Sequence, residues 1–374
     1  MAPSLDELRR FALRRSLFTQ ATLERALETL GFVQADPIRA PARAQDLILM
    51  QRVRDYRAGE LERRYESLEV EEDFFINYGF LAREAHALMH PRSGLERYTR
   101  ARERLAERVL EFVQQQGSAH PRDVERALGS GTEKNYWGGL SNVTTRLLDG
   151  LHYRGLLRVA RREGGIRVYA PARPHRVPEP GDEAERLDAL IDLVVQKYAP
   201  LPASSLAYAV NRLRYAAPQW QPELKAGLKR ARERLGHTEA AGHEWYWPAA
   251  EQLASRRRGS ASDEPVRLLS PFDPVVWDRR RFELFWGWQY RFEAYTPVAK
   301  RKLGYYALPL VWDARAVGWA NLSFVDGRLT ASFGYTEPKL AKDPAFRRAL
   351  DAELARFERF LTPRRASERS SRPR

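Results

Sequence analysis

Cysteine is absent from all 374 residues. That excludes disulfides, thiolate zinc sites, iron–sulfur clusters and a cysteine nucleophile. The seven histidines are scattered and form no H-E-x-x-H or comparable ligand spacing, so neither a metal nor a cofactor is expected. No apolar run approaches the length needed to span a bilayer. The opening stretch MAPSLDELRRFALRR is an amphipathic helix without the apolar core of a signal peptide. A cytoplasmic, nucleoid-associated monomer with no membrane partner is the expectation. Lysine is also missing until Lys134.

Positive charge is abundant instead. The formal net charge is +14 at pH 7, from 63 basic and 49 acidic side chains. A surplus of that sign favours a polyanion, either nucleic acid or an anionic membrane surface. Arginine supplies nearly all of it. Its guanidinium grips phosphate through paired N–H groups and stacks on bases, which tilts the balance toward nucleic acid. A GC-rich genome also raises arginine over lysine, so residue choice alone does not decide.

The first two-thirds carries helical periodicity. Leu5, Leu8, Phe11 and Ala12, then Leu23, Ala26, Leu27 and Leu30, recur at helical spacing, and Gly31 stops the second run. Further on, RERLAERVLEFVQQQG, HPRDVERALG and SNVTTRLLDGLHYRG are three helices. They lead into LLRVARREGGIRVYA, two short strands about Glu163-Gly164-Gly165. Helix, helix, helix and hairpin is the plan of a winged helix-turn-helix. The plan recurs more weakly around LDALIDLVVQKYAP and EWYWP, and the N-terminal helix pair is a candidate first copy. From about Arg267 the pattern alternates apolar with polar residues, and Asp326-Gly327 marks a tight turn. The fold class is α+β, mainly α: tandem winged helices followed by a small antiparallel β-barrel-like domain, open sheet or barrel. The spans are 1–95, 96–172, 181–266, 267–361 and a basic tail at 362–374, with the Pro-rich PARPHRVPEPGDE as a linker.

Three groups of residues bear on function. Lys134, Tyr136, Trp137, Arg146, Arg154, Arg158 and Arg167 mix cations with aromatics in the middle module, which suits phosphate contact and base stacking. The blander reading puts Trp137 in a core and the arginines on a solvated face. In SPFDPVVWDRRRFELFWGWQYRF, Phe272, Trp277 and Phe285 read as junction core. Arg279, with Arg280 and Arg281, is open between that core and a DNA-facing platform. The third group is GFVQADPIRAPARAQD. Pro37 pushes Asp36 toward extended geometry, which places Gln34 and Asp36 on one side and Val33 and Ala35 on the other. A fixed amide and carboxylate there can hold a water between them. From spacing alone the commoner reading of Asp36-Pro37 is a helix N-cap followed by its first residue.

GFVQADPI, followed by RAQDLILMQRVRDY, and the block LLSPFDPVVWDRRR…GYYALP resemble the AlkZ/AlkX (YcaQ-like) DNA glycosylases over about residues 5–361. The resemblance implies three tandem winged helices with a C-terminal β-barrel. It also implies a catalytic Gln–apolar–Asp signature of the AlkX branch, standing here as Gln34-Ala35-Asp36. Two departures are visible. The family often has histidine where Gln45 stands, and an aromatic-x-His-Glu stretch near FFINYGFLARE is absent.

The implied activity is removal of N7-alkylated purines, in base excision repair, and unhooking of interstrand crosslinks in double-stranded DNA. An N7-alkylguanine is cationic and leaves without much acid help. What the enzyme must add is charge stabilisation on the sugar and a delivered water, which one carboxylate supplies. Asp36 takes those roles, with Gln34 orienting water or backbone. With no lysine among the first 133 residues, a monofunctional enzyme is expected. A base tied to the opposite strand cannot be flipped freely. Unhooking therefore implies an open site, with Arg39, Arg43 and Gln45 beside the DNA backbone, and burial of Gln34 and Asp36 would count against it. The rival is a non-catalytic winged-helix transcriptional regulator, in which Asp36 is only a cap.

Overall fold

The computed structural model describes residues 3–94, 97–129, 131–134, 140–173, 181–253 and 265–363. The chain forms two compact units, each discontinuous in sequence. One comprises residues 1–61, 194–208 and 232–374, the other 62–193 and 209–231. These units cut across the sequential spans read from the periodicity. Tyr136, Trp137, most of the Pro-rich linker and the basic tail from 364 lie outside the described residues.

The first unit begins with the helix Leu5–Ser16. Ser4 caps it reciprocally: its hydroxyl accepts from the Glu7 N–H, and Glu7 accepts from the Ser4 N–H at 2.7 Å. Leu8, Phe11 and Ala12 form its buried stripe. The helix Leu23–Leu30 starts at Thr22 and ends at Gly31, whose φ of 63° is the turn-off that a side chain would resist. A three-residue strand, Phe32–Gln34, follows. The next helix, Ala44–Met50, is buried throughout, consistent with its lack of a polar stripe.

In the same unit, strand Gly236–Ala240 pairs with His243–Trp247 through a turn at Ala241-Gly242. Four further strands, Arg267–Leu268, Leu308–Trp312, Arg315–Val325 and Arg328–Tyr335, form an antiparallel sheet in that order. Asp326 and Gly327, both at positive φ, make the tight turn that their sequence demands. The barrel-like domain expected from the alternating pattern is an open sheet among the described residues. Four strands, one only two residues long, are too few for closure. Asp343 caps the last helix, Pro344–Leu361, with proline at its first position.

The aromatic block between the first two strands of this sheet is largely core, as its composition suggests. Phe285 is buried and stacks on Trp245 at 5.1 Å, and Trp277 stacks on Tyr198 at 4.5 Å. Val275, Val276, Phe282 and Tyr290 pack with Leu269 and Val311 behind them. Each such buried side chain contributes about 1.5–3 kcal/mol relative to an exposed one.

In the second unit, helices Arg100–Gln116, Pro121–Leu128 and Val143–Tyr153 precede a hairpin of Leu157–Glu163 with Ile166–Pro171. Gly164 and Gly165 turn it at φ of 59° and 90°. A short pair, Thr132–Lys134 with Leu140–Asn142, enters between the second and third helices. Val109, Val113, Val124, Leu147 and Leu151 meet Val159, Val168 and Tyr169 as one apolar interior. No described helix is long and apolar enough to cross a membrane.

Candidate active site and nucleic-acid interface

Gly31 turns the chain off its helix into Phe32 and Val33, both fully buried, and so fixes where the next residues emerge. Gln34 is 7% exposed and Asp36 is half-buried. Strict alternation is therefore absent: Phe32, Val33 and Gln34 are all covered. Residues 35–43 form no helix, so Asp36 is not a helix N-cap. It holds a turn instead, its Oδ1 accepting from the Ile38 N–H at 2.9 Å. The Asp36 N–H in turn donates to Gln45 Oε1 at 3.4 Å. Among the described residues the second carboxylate oxygen accepts no hydrogen bond. Burial raises the Asp36 carboxyl above its ordinary range, opposed by the Ile38 N–H.

Of the arginines expected beside this motif, Arg39 is exposed and Arg43 half-buried, while Gln45 is buried at 3% exposure. The open site implied by crosslink unhooking meets a mixed outcome. Asp36 is reachable and Gln34 is covered.

A lysine does enter this region, from a distant part of the sequence. Lys197 is buried and donates from Nζ to the Phe32 carbonyl, with the Phe32 ring 5.3 Å away. Burial, reinforced by Arg52 and opposed by Asp273, lowers it to about 7. Sequence order hid it, because 165 residues separate donor and acceptor.

The FDP block lies in the same compact unit. Asp273 is paired with Arg52, both wholly buried, at 2.7 and 3.0 Å. Arg281 is also fully buried and donates to the carbonyls of Tyr198 and Pro274. Arg279, one of the expected DNA contacts, is half-buried and held by the fold. Its guanidinium donates to the carbonyls of Pro271 and Val276 and lies 4.5 Å from the centre of the Tyr290 ring. Both terminal nitrogens of Arg279 thus bond backbone carbonyls, and Arg280 is the exposed member of the three.

In the second unit, Arg146, Arg154 and Arg167 of the expected DNA contacts line a cavity of about 320 Å³. Arg146 pairs with Glu133 at 3.2 Å, and Arg154 with Glu103 at 3.4 Å, with its guanidinium 4.2 Å from the Tyr98 ring centre. Arg167 pairs with Asp149 at 2.8 Å and lies 4.2 Å from the Tyr78 ring centre. Arg158 is half-buried beside its own strand. Arg146, Arg154 and Arg167 are thus paired with carboxylates, which weakens each as a phosphate contact. Lys134 lies in the short strand, and its side chain falls outside the described residues.

Sequence reasoning also passed over Asp73, His86 and His90. The two imidazole Nε2 atoms each lie 3.0 Å from Asp73 Oδ2, and the three potential ligand atoms fall within 4.8 Å of one another. The four-residue step from His86 to His90, one turn of helix, was the available signal. Arg92 binds the other Asp73 oxygen. Burial alone would push the Asp73 carboxyl up, yet Arg92 and the two imidazoles hold it well below the usual range. Burial lowers His90 to about 3, so its ring is neutral at ordinary pH. With Arg92 balancing the carboxylate, the group is a buried charge network.

Two comparisons bear on this geometry. A family model described as DNA glycosylase AlkZ-like matches residues 27–360. The Streptomyces sahachiroi DNA glycosylase AlkZ has a similar fold, with a TM-score of 0.61 at 18% identity, covering 98% of this chain and 100% of that one.

Proposed function

Because this chain belongs to the AlkZ-like family of DNA glycosylases, we propose that it hydrolyses the N-glycosidic bond of N7-alkylated purines in double-stranded DNA. The same reading extends to purines tied into interstrand crosslinks. It takes the enzyme as a monofunctional glycosylase of the Gln–apolar–Asp branch, acting as a monomer without a metal. The observation that carries it is the state of Asp36. One oxygen is fixed by the Ile38 N–H, the other is uncommitted among the described residues, and the side chain is half-exposed.

A cationic purine leaves with its own positive charge neutralised, so the transition state needs an anion near the sugar and a water to capture it. Asp36 is the anion, and its uncommitted oxygen is the acceptor for the proton of the attacking water. Its raised proton affinity makes it a better base than a fully solvated carboxylate. Gln45 holds the Asp36 backbone, so the carboxylate is oriented from both its turn and its amide. Gln34 orients the water or the sugar-phosphate chain, reaching the site from a covered position. Lys197 supports the monofunctional reading, because its amine is committed to the Phe32 carbonyl and its side chain is 3% exposed. A Schiff-base nucleophile must reach the sugar C1′.

The test is single-turnover base release from two duplexes, one with N7-methylguanine and one with a nitrogen-mustard crosslink. Release by wild type and its loss in Asp36→Asn, with DNA binding retained, supports the reading. Binding without release by either protein favours the regulator. Borohydride-trapped complexes would overturn the monofunctional assignment.

A further inference from the structure

Between the helix Arg279–Trp286 and the strand Leu308–Trp312 lies a loop that exposes apolar surface. Tyr295 is 80% exposed, Val298 75% and Tyr305 45%. Exposed apolar side chains grouped in one segment call for a partner. The loop is well held. Glu293, itself buried, accepts from the N–H groups of Lys302 at 2.8 Å, Leu303 at 2.7 Å and Gly304 at 3.3 Å. Arg301 Nε donates to the Thr296 carbonyl at 2.8 Å, tying the tip to its base. The carboxylate of Glu293 is thus consumed inside the loop, while Arg291, Lys300 and Lys302 remain exposed around it.

Tyr295 is also the outer end of a ladder of rings. Phe272 meets Phe292 at 5.1 Å, Phe292 meets Tyr306 at 5.3 Å edge-on, and Phe292 meets Tyr295 at 6.0 Å. The inner ring, Tyr306, is buried. The Tyr306 hydroxyl is raised by burial, opposed by the Ser270 hydroxyl and reinforced by the negative charge of Asp36, and the exposed Tyr295 hydroxyl is raised more weakly, in part by the same charge. Asp36 belongs to the same compact unit as this ladder, and its charge is felt at both hydroxyls.

We propose that this loop is a stacking wedge for damaged duplex DNA. Tyr295 lies against a base unstacked beside the lesion, Val298 fills the step next to it, and Lys300 and Lys302 hold the flanking phosphates. The proposal rests on the reading of Asp36 as the reactive carboxylate. The partner follows from the chemistry of the loop. An aromatic face takes any base by stacking, exposed cations take the backbone, and an apolar side chain between them separates adjacent bases. A protein partner would match the apolar tip without needing the surrounding unpaired positive charge. The rigid Glu293 anchor means that the tip is presented before DNA arrives, so little ordering cost accompanies binding.

The experiment uses full-length protein and a duplex with a tetrahydrofuran abasic analogue next to 2-aminopurine. Wild type should change the 2-aminopurine emission on binding. Tyr295→Ala should abolish that change and weaken binding to this duplex about ten-fold, while Tyr295→Phe should restore both. Each of Lys300→Ala and Lys302→Ala should lower the slope of log affinity against log salt by about 1. Because Tyr295 is exposed, the melting temperature should not move. Unchanged emission and affinity in Tyr295→Ala would overturn the wedge, whatever its effect on base release. If wild type releases no base yet shows the emission change and the variant loses it, the glycosylase reading fails and the wedge stands.

Discussion

The Arg52 guanidinium meets the Asp273 carboxylate across 221 residues of chain, at 2.7 and 3.0 Å, with both side chains wholly buried. Arg52 also donates to the carbonyls of Ser16 and Ile48, and Asp273 accepts from the Val275 N–H. The pair therefore ties the helix after the Asp36 motif to the FDP turn before the aromatic block. Removing one partner strands the other charge in the core. Arg52→Met and Asp273→Asn should each cost about 3–5 kcal/mol by urea denaturation, and the double variant less than their sum.

Asp36 governs the chemistry through its ionised form. Its carboxyl titrates above the ordinary value of 3.8, because burial disfavours the charge. Base release should therefore rise as pH climbs through that elevated value and then level off. Asp36→Asn should slow single-turnover release about 10²–10⁴-fold and flatten this acid limb, with folding unchanged. A variant that keeps both rate and limb would remove Asp36 from the reaction.

Lys197 links stability to pH. Its folded value of about 7 lies below the 10.5 of an unburied lysine, so between those values the unfolded chain binds the extra proton. Stability from this residue consequently rises as pH goes from 7 toward 10.5 and is flat below 7. The difference in unfolding free energy between wild type and Lys197→Met should change by a few kcal/mol across that window. Urea midpoints at pH 7 and pH 9.5 would show it. Parallel pH responses would mean that the amine stays charged.

The Asp73 network makes a separate claim. Arg92, His86 and His90 already satisfy its carboxylate, so chelator should leave the melting temperature unchanged. Asp73→Asn should destabilise by about 3–5 kcal/mol by leaving Arg92 unbalanced. A melting temperature that climbs with added zinc would identify the trio as a metal site.

Much of the local structure is legible one segment at a time. Ser4 with Glu7, Thr22 with Gly31, and Asp343 with Pro344 are helix boundaries set by backbone donors and by φ, and they need only near neighbours. Gly164-Gly165 and Asp326-Gly327 make their turns for the same reason. The Asp36-Pro37 pair was not legible as a turn that ends on Ile38. The open C-terminal sheet was less so, because alternation reports which face is buried and not whether the edges close.

The sequence by itself determined the charge, the caps, the turns and the position of the Gln34-Ala35-Asp36 motif, since each depends on residue type or on neighbours a few positions away. Tertiary structure alone decided which cations are engaged by the fold. Arg167 and Arg279 look alike in a sequence to Arg39 and Arg280, yet the first two are spent on Asp149 and on backbone carbonyls. It also decided that Lys197 is buried against the Phe32 carbonyl, where desolvation lowers its amine to about 7. The physical reason is that desolvation and Coulomb energy depend on distance in space, and folding brings together groups more than a hundred residues apart.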